Sequence, residues 1–102
     1  MDLENVVIEL IVKAGETKSL AMEALKQARE GDFAQSEQSM AASREAAKQA
    51  HKIQTALIAA DEGQGKVPVS LVLVHAQDHL MNAMLAQDLV EEMVYLYQRL
   101  EK

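Results

Sequence analysis

Two histidines and an aspartate stand where this chain is best placed to do chemistry. The segment Leu73-Val74-His75-Ala76-Gln77-Asp78-His79-Leu80-Met81 is its only dense polar cluster inside an apolar stretch. His75 and His79 are four residues apart, hence neighbours on one helix face, and Asn82 extends that face. Asp78 lies about 60° around the helix from His75, at 3.6 residues per turn, and Gln77 about 200° away, toward a face that could reach a neighbouring subunit. Three kinds of chemistry fit such a group. The side chains could bind a metal, but the spacing is not His-Glu-x-x-His and a third ligand at the same centre is lacking, which disfavours catalytic zinc. A carboxylate could orient an imidazole for general acid–base catalysis. One neutral imidazole nitrogen could also attack a phosphoryl donor and hold the group on an N–P bond that remains easy to transfer. That last chemistry needs no deep pocket. Beside all three stands the ordinary reading, in which helical histidines are solvated or hydrogen-bonded and a pair four apart is chance.

Gly and Pro divide the chain into three helices, about 2–30, 33–61 and 70–101, in one domain, 1–102. The first carries apolar residues at helical spacing, Leu3, Val6, Val7, Leu10, Ile11 and Ala14, resumed at Leu20, Ala21, Ala24, Leu25 and Ala28. Asp2 is its expected N-cap. Gly15 falls inside it, at a cost of about 1 kcal/mol against alanine. Gly31 suits a left-handed helix stop. Asp32 then caps the second helix, with Gln35 completing a capping-box pattern. So tight a turn between long helices implies an antiparallel hairpin. The second helix has a weak inward stripe, Phe33, Met40, Ala47, Ile53, Leu57 and Ile58, with Ser and Ala between, so the helices should approach closely. Two Gly and a Pro make 62–68 a loop.

The third helix has too much apolar surface for one buried stripe. Leu71, Val72, Leu73 and Val74 follow one another, and a second stripe runs Leu71, Val74, Asp78, Met81, Leu85 and Leu89. Its steps of three and four are those of a helix packing on parallel copies of itself, with Asp78 as the one polar member. The expected fold is all-α, an antiparallel three-helix bundle whose surplus apolar face is buried between subunits.

Composition narrows the function. The chain has 102 residues, 10 Lys+Arg against 16 Asp+Glu, and a net charge of −6, which disfavours nucleic acid. Phe33, Tyr95 and Tyr97 are its only aromatics, too few to build a sugar-binding cleft. Without cysteine it has neither a disulfide framework nor a thiol nucleophile. Asp2, Glu4 and Glu9 stand where a secretory signal would carry bases, and no run of about 18 apolar residues occurs, so the expected location is the cytoplasm.

The segment Val74-His75-Ala76-Gln77-Asp78-His79-Leu80-Met81 resembles the phosphorylation-site signature of the lactose/cellobiose-type enzyme IIA proteins of the bacterial sugar phosphotransferase system. Three further blocks resemble that family in the same order and spacing: Ala14-Gly15-Glu16-Thr17-Lys18-Ser19-Leu20, Ala28-Arg29-Glu30-Gly31-Asp32-Phe33 and Ala50-His51-Lys52-Ile53-Gln54-Thr55. The resemblance covers nearly the whole chain. It implies trimers of three-helix subunits with parallel third helices around the axis. It also implies that His75 accepts a phosphoryl group from the histidine phosphocarrier protein. His75 would then pass it to a cysteine of the cognate IIB component, which serves the membrane IIC component. Asp78 would lie near the threefold axis. Three carboxylates meeting there must share protons or bind a cation, and hard oxygen ligands favour Mg2+ or a similar ion; alternatively, Asp78 only fixes the alignment of the helices. Gln77 and His79 are candidate supporting residues. His51 reads as an ordinary structural histidine, and Lys13, Lys18, Lys48 and Lys52 as solvated. The competing reading is a helical scaffold or adaptor with incidental histidines. The sugar is not legible: cellobiose, a chitobiose-type disaccharide and lactose all suit the resemblance.

Overall fold

A computed structural model describes residues 2–101. Three helices follow one another: α1, Leu3–Arg29; α2, Phe33–Asp61; α3, Leu71–Leu100. Their ends are set by local chemistry. The Asp2 carboxylate accepts from the Asn5 N–H, Asp32 from Gln35 and the Ser70 hydroxyl from Leu73, so each helix begins on a side-chain cap. Between α1 and α2 the chain makes a Schellman turn. Gly31, at φ +86°, donates to the Ala28 carbonyl and Asp32 donates to that of Gln27. That bond occupies the Asp32 N–H, the group a capping box would give to the Gln35 side chain, so only half of the expected box is present. α1 passes through Gly15 without a break.

The bundle is elongated, 53 × 19 × 19 Å, with α1 and α3 running alike and α2 opposed. Its core has two apolar parts. One joins Val7, Leu10 and Ala14 of α1 to Ala50 and Leu57 of α2 and to Leu73, Ala76, Leu80 and Ala83 of α3. The other joins Ala21, Ala24 and Ala28 to Met40 and to Val90 and Val94. Alanine supplies four of the nine buried residues of the first and three of the six of the second, so helix axes approach closely and backbone carbonyls come within reach of small hydroxyls. The Ser36 hydroxyl donates to the Ala24 carbonyl at 2.8 Å. Between the two parts lies a polar layer. Ser43 donates to the Thr17 carbonyl at 2.6 Å and accepts from the Gln87 amide at 2.9 Å, so one hydroxyl ties all three helices. Thr17 and Ser43 are fully buried, and the Thr17 hydroxyl donates to the Lys13 carbonyl.

The expected inward stripe of α2 needs one correction. Ile58 is 63% exposed, whereas Leu57 and the small residues Ser36, Ser43, Ala46 and Ala50 are buried. Adjacent positions differ by about 100° around a helix, and close packing on α1 selects the small ones. On the surface, Arg44 of α2 bridges Glu37 and Glu91, and the hydrogen bonds to Glu91 and then Glu37 raise its pKa further.

Ser43→Ala should therefore cost more than a single hydrogen bond, because it removes a bond to the Thr17 carbonyl and leaves the buried Gln87 amide N–H without its partner. The expected loss is about 1–3 kcal/mol, read from urea unfolding, with the helical content unchanged.

Candidate functional site

Burial of Leu73, Ala76, Leu80 and Ala83 fixes the rotation of α3. His75 and His79 then stand on the flank of α3 that faces α1, and Asp78 stands on the outward face. The imidazoles lie with their planes 12° apart and centroids 6.1 Å apart, stacked one helical turn above the other. His75 is exposed; His79 is half-buried, with Nε2 beside Gly15 of α1. Among the described residues, neither imidazole has a hydrogen-bond partner within the chain. The His75 imidazole is thus reachable from outside, with the His79 imidazole stacked beside it.

Near the starts of α1 and α3, Leu3, Glu4, Val7, Ile8, Ser70 and Val72 line a shallow depression. Val12, one turn beyond Ile8, leads along the same face of α1 to Gly15. Ile8, Val12 and Val72 are each about half exposed. Ile8 and Val12 fall outside the stripe of Val7, Leu10 and Ala14 that α1 buries.

Gln77 is drawn the other way. Its amide oxygen accepts from Gln54 Nε2 of α2 at 2.5 Å, so this side chain joins α3 to α2 and does not approach the histidine pair of its own chain. Gln77 and Asp78 border an open groove of about 450 Å³ with Val69, Leu73, Val74 and Met81. Asp78 makes no hydrogen bond or ion pair within the chain, among the described residues. Leu71, Val74, Met81, Leu85 and Leu89 along the same outward face are 50–86% exposed. The second apolar stripe is therefore bare in a single chain. Among the described residues no three His, Cys, Asp or Glu converge, so any cation held by Asp78 needs carboxylates from other copies.

The remaining basic residues stay at the surface. His51, Lys18, Lys48 and Lys52 are exposed, and Lys13 pairs loosely with Glu16 at 3.5 Å. No helix among the described residues is long and apolar enough to cross a membrane.

Residues 5–98 match the family model described as PTS system, Lactose/Cellobiose specific IIA subunit. The chain belongs to this family. Its sequence is 53% identical over 100 residues to the PTS system N,N'-diacetylchitobiose-specific EIIA component of Escherichia coli, covering 98% of this chain and 86% of that protein. Among solved structures, the PTS cellobiose-specific enzyme IIA from Bacillus anthracis superposes with a TM-score of 0.94 at 40% identity, covering 99% of this chain and 93% of the other. The IIA(Chitobiose) chain of the Escherichia coli IIA(Chitobiose)–HPr complex gives a TM-score of 0.86 at 51% identity, covering 100% and 99%. An IIA subunit is a component of the sugar phosphotransferase system, and the three-helix architecture seen here is the one its solved relatives have.

Placing Gln77 in a helix-to-helix contact has a measurable consequence for this IIA subunit. Gln54→Ala should lower stability by about 0.5–1.5 kcal/mol while leaving the imidazole NMR signals of His75 and His79 unmoved.

Proposed function

We propose that the protein is a phosphoryl carrier with His75 as the residue that is phosphorylated. The observation that carries this reading is the exposed His75 ring stacked on His79 at an open apolar flank, in a chain of the IIA family. In the first transfer a lone pair on one imidazole nitrogen of His75 attacks the phosphorus of phospho-HPr. A new N–P bond forms as the donor's N–P bond breaks, and the donor imidazole leaves with that electron pair. In the second, the thiolate of a cysteine on the cognate IIB component attacks the same phosphorus, and His75 regains its lone pair. The shallow setting suits this sequence, because two different proteins must reach one nitrogen in turn. Ile8, Val12 and Val72 provide the apolar rim on which both dock, and His79 supports the phosphoryl group from behind. The resemblance of the chain to the IIA partner of HPr in the Escherichia coli complex supports HPr as donor. The subunit never has to touch the sugar or the membrane IIC component, and the cytoplasm, where such carriers meet, is its proposed location. A β-linked disaccharide of the chitobiose type is the favoured cargo of the pathway, on the strength of the 53% identity to a chitobiose-specific component.

The bare stripe on α3 supports a homotrimer with parallel third helices around the axis. Asp78, with no partner in its own chain, would meet two copies of itself there. Three carboxylates on an apolar seam form a hard, all-oxygen donor set that suits Mg2+ or a similar divalent cation. Such an ion would neutralise the converging charge; the transfer itself needs only His75 and its support.

Incubation with phosphoenolpyruvate, enzyme I and HPr tests the carrier. Wild type should take up one acid-labile phosphate per chain and pass it to a chitobiose-type IIB protein, and His75→Ala should take up none. An equally labelled His75→Ala protein would refute the assignment and leave a helical scaffold with incidental histidines. For the axis, chelation by EDTA should weaken the wild-type trimer in sedimentation while leaving Asp78→Leu trimeric. A wild-type trimer indifferent to chelation and to added Mg2+ removes the cation.

A further inference from the structure

Gly15 sits in the interior of α1, where glycine is less stable than alanine. The backbone gives no reason for it. The other three glycines, Gly31, Gly63 and Gly65, have positive φ, and Gly15 is plain helix. Packing gives none either. A Cβ built at Gly15 meets one heavy atom of another element within 4 Å, Nε2 of His79, at 3.6 Å, an ordinary van der Waals distance. Alanine would fit. What it would change is the environment of that one nitrogen.

We propose that Gly15 is a positioning residue for phosphoryl transfer. By leaving the surface of α1 bare at this point, it keeps Nε2 of His79 open to hydrogen-bond an oxygen of the phosphoryl group on His75. The inference rests on the assignment of His75 as phosphoacceptor. An acceptor oxygen has to come within about 2.9 Å of the ring nitrogen, and a methyl carbon 3.6 Å from it occupies part of that approach. His79 is half-buried and has no hydrogen-bond partner within the chain among the described residues, so Nε2 is free to bond an incoming oxygen. The parallel rings, 6.1 Å apart, leave a space that one tetrahedral phosphoryl group can bridge. Gly15, like His79, is half-buried, so the gap is not sealed from the outside. A methyl group there would fill the gap, dry the nitrogen and stabilise the helix in one step. Stability and transfer should therefore move in opposite directions on a single substitution, which a purely structural glycine would not produce.

The test uses the full chain as Gly15→Ala, His79→Ala and the double variant, with phospho-HPr as donor. Gly15→Ala should raise Tm by about 4–8 °C and slow phosphoryl transfer to His75 by about tenfold, the size expected when a hydrogen bond to a charged group is lost. In the His79→Ala background the same substitution should change the rate by less than about twofold, because the two residues act through one interaction. The 15N signal of His79 Nε2 should shift on phosphorylation of wild type and stay put in Gly15→Ala. A Gly15→Ala protein that transfers at the wild-type rate with an unchanged Nε2 response overturns the inference. So does one that is slowed equally with and without His79. His75→Ala distinguishes the two levels: if it takes up no phosphate while Gly15→Ala behaves as wild type, only the role of Gly15 falls. If it is labelled like wild type, the phosphoacceptor assignment falls first.

Discussion

The site depends on how far α3 is rotated about its own axis. Burial of Leu73, Ala76, Leu80, Ala83, Gln87, Val90 and Val94 in the core of the subunit sets that angle, and every other residue of the helix has its place by consequence. The histidines fall on the α1 side, Gln77 on the α2 side, and Asp78 with the bare apolar stripe on the outside. A single helix thus offers three faces with three uses. Small residues on α1 and α2 make this possible. Larger side chains there would push α3 outward and loosen the angle that separates His75 from Asp78.

Much of this could be read from residue types alone, and where it could the reason is local. The Gly31-Asp32 turn, the side-chain caps at Asp2 and Asp32, and the placing of His75 and His79 on one helix face all depend on neighbours within four positions along the chain. The features that escaped were those decided by another helix. Ile58 has the hydrophobicity of a core residue, but the close approach of α1 and α2 favours serine and alanine at the contact. Gln77 was open to many partners until Gln54 of α2 supplied one. Ile8 and Val12 lie outside the buried stripe of α1, and only the parallel course of α1 and α3 brings Ile8 beside Ser70 and Val72. Gly15 was legible as a weak point of a helix, not as the neighbour of an imidazole.

A carrier of this kind works by exposure rather than enclosure. The chain has no cysteine and few aromatics, and Ile8, Val12 and Val72 leave aliphatic surface exposed, which suits a protein that must bind two partners and release each. Its acidic balance, −6 overall, reaches that side of the bundle, where Glu4 lines the same depression as Ile8 and Val72.

The polar layer of Thr17, Ser43 and Gln87 acts on the site from a distance. The alanines at the helix contacts interlock weakly, so a slip of the helices by one turn, about 5.4 Å, is opposed by the larger core side chains and by this layer. Such a slip would carry His79 from Gly15 to the level of Ile11 or Ser19. It would also tear the Ser43 hydroxyl from both of its partners, so the layer works as a detent that holds the imidazole opposite the one residue without a side chain.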